Sequence, residues 1–234
     1  NGAGSANTAG SINSTVSASA TSGFSIVSYT GTGSLATVGH GLGVAPAMII
    51  IKNRSTTNGW EVYHQSLGNT KYMQLHTTSA EGTSATRWNN TSPTSTVFTV
   101  NTEGGVNSSG GNLIAYCFSE VKGYSKFSSY TGNGNADGTF VYLGFKPAFV
   151  MLKNTTTAAS WLMYDNKRLG YNVDNNELVA NTSAAEETYD QIDILSNGFK
   201  MRANGTSTNK SGDTFIYMAF AEAPLVGDNP ATAR

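Results

Sequence analysis

The sequence predicts an all-β fold: two tandem antiparallel β-sandwiches, jelly-roll-like, built from one internally duplicated module. Three observations carry that expectation. The octapeptide PAMIIIKN beginning at Pro46 is answered by PAFVMLKN beginning at Pro147. Apolar stretches are short and are separated by clusters of Gly, Asn, Ser and Thr, the pattern of strands and turns rather than of helices. Charged residues make up 12% of the 234 residues, against ~25% in an average globular protein.

Taken in chain order, residues 1–22 (NGAGSANTAGSINSTVSASATS) are uncharged and poor in large apolar side chains, and read as a flexible linker or a strap lying on other surfaces. A first sandwich then spans residues 23–122, with strands expected near Phe24 to Tyr29, Ala47 to Lys52, Trp60 to His64, Lys71 to His76, Thr96 to Val100 and Asn112 to Val121. A second spans 123–224 and repeats the first. GFSIVSYTG at Gly23 returns as GYSKFSSYTG at Gly123, and Gly43, Pro46, Lys52, Asn53, Trp60 and Tyr63 return at one constant spacing as Gly144, Pro147, Lys153, Asn154, Trp161 and Tyr164. Residues 225–234 form a C-terminal tail. Turn formers such as NTEGGVNSSGG and TGNGNADG favour tight antiparallel connections, and no helix of useful length is expected.

A net charge of -1 and a pI near 6.3 give no field that would attract phosphate backbones, so nucleic acid is not an expected partner. No run reaches the ~18 apolar residues that span a bilayer, so membrane insertion is not expected. The chain begins at Asn1, as a piece of a longer protein would. A single cysteine, Cys117, has no partner for an internal disulfide and lies in an apolar run, where a buried inert thiol is expected.

Neither a metal nor a cofactor is expected. His40, His64 and His76 lack zinc-motif spacing, and no Gly-x-Ser-x-Gly elbow marks a serine nucleophile. By the constant spacing His40 falls opposite Val141 and His64 opposite Asp165, so neither belongs to the shared framework. The second half carries a local run of acids, Asp174, Glu177, Glu186, Glu187, Asp190 and Asp193. Such a run fits a solvated face, a cation site or a glycosidase pair. DNKRLGYNVDNNE from Asp165 resembles a calcium loop only faintly, because hydrophobic residues occupy would-be ligand positions.

Trp60 and Trp161 match between the halves and are expected in the cores. Residues that differ between the halves are the better place to look for function. Trp88, in TRWNNTS, has no counterpart and sits among polar residues, so it is the first candidate for an exposed ring that stacks on a ligand. Tyr72 and Tyr171 are candidates on the same reasoning.

Over its whole length, through GFSIVSYTG, VGHGLGVAPAMIIIKNR, IAYCFSEVKGYSKFSSYTGNGNADGTFVYLGFKPAFVMLK, WLMYDNKRLGYNV, LSNGFKMR and IYMAFAEAP, the chain resembles a domain of uncharacterised function near the C-termini of tail-fibre and other virion proteins of tailed bacteriophages, chiefly marine ones. The resemblance transfers no catalytic residue. It implies a virion location, contact with other virion proteins, homo-oligomerisation with threefold symmetry favoured, and contact with a host surface. The expected function is therefore non-covalent, non-enzymatic binding of host cell-surface glycan or protein by a fibre module. Two alternatives stand beside it: a purely structural virion component, and a polysaccharide-degrading enzyme using Asp190 or Asp193.

Overall fold

The computed structural model describes residues 2–168, 172 and 176–223. Tyr171, Asp174 and the C-terminal tail from 225 lie outside them. The protein is an all-β, sandwich-type chain of antiparallel sheets. It divides into two units, Asn1–Leu75 with Glu81–Glu120, and His76–Ala80 with Val121–Arg234. Residues 76–80 therefore belong with the second unit although they lie within the first by sequence.

The first unit contains β1 (Ser5–Asn7), β2 (Ser14–Ser19), β3 (Phe24–Thr30), β4 (Ala36–Gly39), β5 (Met48–Asn53), β6 (Trp60–His64), β7 (Lys71–Gln74), β8 (Gly82–Thr83), the single-turn helix α1 (Ala85–Trp88), β9 (Val97–Val100), a second single turn α2 (Gly104–Asn107) and β10 (Asn112–Phe118). Its large sheet runs β1-β2-β3-β10-β5-β6-β7-β8, and β4 pairs with β9 in a small sheet. Side chains of both sheets meet in one core, with Val27, Tyr29, Ile49, Ile51, Leu113 and Cys117 from the large sheet and Val38, Phe98 and Val100 from the small one. Cys117 is buried as expected, and burial raises its thiol pKa to about 12.

Of the two readings of residues 1–22, the described residues 2–22 follow the strap and not the flexible linker. β2 pairs with β3 from Ser14↔Tyr29 to Ser19↔Phe24, β1 pairs with β2, and Ile12 bridges Val38 on β4. This segment seals the seam between the two sheets: Ile12 and Val16 enter the core, and Gly10 passes so close to β4 that a Cβ there would stand 2.4 Å from the carbonyl oxygen of Thr37. Small residues let the backbones approach this closely, and their low complexity hides the inward alternation of Ser14 and Val16.

The second unit contains β11 (Ser125–Thr131), β12 (Phe140–Tyr142), β13 (Pro147–Asn154), β14 (Trp161–Asp165), β15 (Asn176–Val179), β16 (Glu187–Thr188), β17 (Ile192–Leu195), β18 (Gly198–Met201) and β19 (Thr214–Ala221). Its large sheet runs β11-β19-β13-β14-β15-β16, the order of β3-β10-β5-β6-β7-β8 in the first unit. Its small sheet is β12-β18-β17. Val38 pairs with Phe98 on one side and Val141 with Phe199 on the other. Val141 therefore answers Val38 rather than His40, and His40 and Gly41 are extra residues of the first unit.

The recurring SYTG has the same physical cause in each unit. Tyr29 donates its hydroxyl to the carbonyl of Val106, and Tyr130 donates to that of Thr208. A Cβ on Gly31 would fall 2.3 Å from the Ser108 carbonyl oxygen, and one on Gly132 2.3 Å from that of Lys210. Buried Asn107 accepts from the amide of Thr32 and donates to the carbonyl of Ser34; Asn209 does the same with Asn133 and Asn135. These side chains satisfy backbone groups that the turns would otherwise leave orphaned. Trp161 is buried, whereas Trp60 is half-buried and stacks on Tyr116 outside the core cluster.

Candidate functional site

Trp88 is not an exposed platform. It is 2% exposed, meets Tyr63 edge-on at 5.9 Å and donates its indole N–H to the carbonyl of Lys71 at 3.0 Å. Its polar neighbours end a helix. Ser84 caps α1 by accepting from the amide of Thr86, and Asn89 and Asn90 leave it with φ of 52° and 50°. Asn tolerates that left-handed geometry, so the polar sequence around the ring reflects capping rather than exposure.

Tyr72 is also committed. The guanidinium of Arg87 lies 3.4 Å from its ring centroid, and a Cβ on Gly82 would come within 2.4 Å of its ring carbons. Arg87 Nε in turn donates to Glu61 Oε2 at 2.7 Å, while Gln74 donates to Glu61 Oε1 at 2.9 Å. This buried cluster spends its hydrogen-bonding capacity internally. Tyr171, the third candidate, lies outside the described residues.

The acidic run of the second unit disperses. Glu177 is buried and accepts from the Tyr164 hydroxyl and from Gln191. Glu186 accepts from Asn176 and pairs with Arg168, which hold its pKa below the usual range. Asp193 pairs with Arg202 at 3.3 Å, and Glu187 and Asp190 are exposed. Asp165 accepts from the amides of Lys167 and Arg168, shaping a turn; the calcium-like stretch after it lies partly outside the described residues. His40 is buried, with Nδ1 accepting from the amide of Leu42 and Nε2 facing the Thr94 carbonyl, and burial lowers its pKa. His64 is buried and accepts from the amide of Ser66.

Exposed aromatic rings lie elsewhere: Tyr189 in the loop after β16, and a neighbouring pair on β12. On β12, Val141 points into the core and its neighbours Phe140 and Tyr142 point out, 45% and 60% exposed. Phe140 stands opposite Lys200, and Tyr142 opposite the buried Gly198, where a Cβ would fall 2.1 Å from the Val141 carbonyl oxygen, so that glycine lets β12 and β18 approach closely. Asp193 on β17 is opposite Lys200 and extends the same face. Lys200 pairs with Asp137, and Arg202 with Asp193. Lys126 of β11 donates to the carbonyl of Tyr142 at 2.9 Å with its ammonium 5.6 Å from the ring centroid. The result is a pair of outward rings rimmed by two ion pairs and by the Lys126 ammonium, an apolar surface with directional donors and acceptors around it.

The corresponding places in the first unit are Thr37 and Gly39, and the N-terminal segment covers them. Ser11 and Thr37 exchange hydrogen bonds, and a Cβ on Gly39 would fall 2.0 Å from Asn7 Oδ1. Tyr142 at the Gly39 position leaves no room for a segment laid as residues 7–12 are. A sequence signal for the site exists in TFVYLG, two aromatics flanking an inward Val. A constant-spacing alignment obscures it by setting Gly39 against Phe140.

The fold and this face define a class: an all-β protein of two units, with one seam sealed by its own N-terminal strands and a polar-rimmed aromatic face on the other unit. More particularly, the chain belongs to the family described as a domain of unknown function (DUF7483), which matches residues 1–224. No curated protein and no solved structure matches it.

Proposed function

We propose that the chain is a non-enzymatic module of a virion fibre, made of two copies of one β-sandwich, that attaches to host cell-surface glycan through the outer face of β12, β18 and β17. One observation carries the reading: Phe140 and Tyr142 are outward and exposed where the first unit has Thr37 and Gly39 under a strap. Aromatic rings left in water by a chain that covers the matching place elsewhere are what a binding surface requires. The resemblance to virion proteins supplies the biological setting, and a homotrimer would turn weak single contacts into avidity.

A structural role is favoured for the first unit, because its seam is closed and its buried charges are paired with one another. On this reading the first unit is a spacer and the second the recognition unit.

Binding of the labelled chain to intact bacteria, before and after periodate oxidation of their surface sugars, tests the proposal. Saturable binding lost on oxidation and lost in a folded Phe140→Ala/Tyr142→Ala variant is the expected outcome. Binding that survives both treatments would overturn it.

A further inference from the structure

We propose that the ligand of this face is an anionic sugar, a pyranose bearing a carboxylate, with its ring on Tyr142 and its carboxylate on Lys126. The inference rests on the glycan-binding reading above and specifies its chemistry. The first observation is how the two seams differ. On β3, which pairs with β2 of the N-terminal segment, the residues facing inward beside Tyr29 are Val27 and Ser25, both buried. At the same places on β11, beside Tyr130, stand Ser128 and Lys126, both half-buried. The sealed seam buries an apolar Val27 and the small Ser25 there; a Ser in place of Val27 and a Lys in place of Ser25 belong to a seam that meets water.

Charge selects the ligand. Lys200 and Arg202 on this face are neutralised by Asp137 and Asp193. Among the described residues no carboxylate pairs with Lys126, whose one described hydrogen bond goes to the Tyr142 carbonyl. An ammonium carries three donors, so further N–H groups remain for an anion. Its charge is thus the uncompensated one of the face, and it stands beside the ring that would carry the sugar. A carboxylate placed there gains a charge-assisted hydrogen bond, whereas a neutral sugar gains only the ring contact.

The test measures binding of the folded, full chain to three probes: a neutral hexose oligosaccharide, a hexuronate oligosaccharide of equal length, and inorganic polyphosphate. The hexuronate is expected to bind at least tenfold tighter than the neutral sugar. That advantage should vanish in Lys126→Met and persist in Lys126→Arg, and binding of both sugars should be lost in Tyr142→Ala. Equal binding of the two sugars, unchanged in Lys126→Met, would overturn the anionic preference and leave the glycan reading standing. Binding of neither sugar would overturn both. Polyphosphate binding as tight as the hexuronate's would show a cationic patch without a sugar platform, and would likewise overturn the inference.

Discussion

The hydroxyl of Tyr164 donates to Oε2 of Glu177 at 2.6 Å, and Gln191 donates to the same oxygen at 2.8 Å. Burial raises the Glu177 pKa, and the hydrogen bond from Tyr164 offsets part of that rise. A carboxyl whose folded pKa is raised contributes stability that is present below its unfolded pKa of ~4.3 and is lost as pH rises through the folded value. Glu177→Gln should therefore flatten the fall in stability above pH ~4.3. Glu177→Leu strands both donors and should cost ~1–3 kcal/mol at every pH. Urea titrations across that range check both, and parallel curves for wild type and Glu177→Gln would refute the assignment.

Lys153 is fully buried, and its ammonium donates to the carbonyls of Thr78 and Asn154. Burial lowers its pKa to about 8. Between that value and the ~10.4 of an unfolded lysine, the unfolded chain binds more protons, so this group's contribution to stability rises with pH. Lys153→Met should abolish the rise relative to wild type and be neutral or stabilising at pH 7, as read from denaturation midpoints from pH 7 to 10.

Glu61 and Arg87 form a buried pair in the first unit, and Leu162 stands in the second where Glu61 stands in the first. Removing one partner leaves the other charge unpaired, so Glu61→Leu or Arg87→Met alone should cost ~3–5 kcal/mol. The double variant should recover most of that loss. A double-mutant cycle measures it, and simple additivity of the two losses would show that the pair is not coupled.

Gly39 and Tyr142 give the sharpest contrast between the units. Gly39→Tyr must displace Asn7 and should destabilise by ~1–3 kcal/mol. Tyr142→Gly removes an exposed ring and should alter stability far less while abolishing the proposed sugar binding. Thermal melts of the two variants, with binding measured on the second, check this.

Trp88→Phe should lose the bond to the Lys71 carbonyl and leave a void, at a cost of ~1–3 kcal/mol. The variant that remains folded should bind sugar as wild type does. Loss of binding by a folded Trp88→Phe protein would return the platform to α1.

Much was legible in the sequence because it is local. Strand period, turn residues and the recurrence of PAMIIIKN as PAFVMLKN establish the all-β class and locate β3, β5, β6, β10 and their counterparts, since alternation and turn chemistry act within a few residues. Tertiary structure alone decided which faces are covered. The small residues from β1 to β2 look like linker by composition, and only the pairing of β2 with β3 and the bridge from Ile12 to Val38 on β4 make them a seal. Trp88 looks exposed by its neighbours, and only the capped turn of α1 turns it into the core. Whether Phe140 and Tyr142 meet water depends on whether another segment lies over β12. Burial is a property of what distant parts of the chain bring together, and no local pattern encodes it.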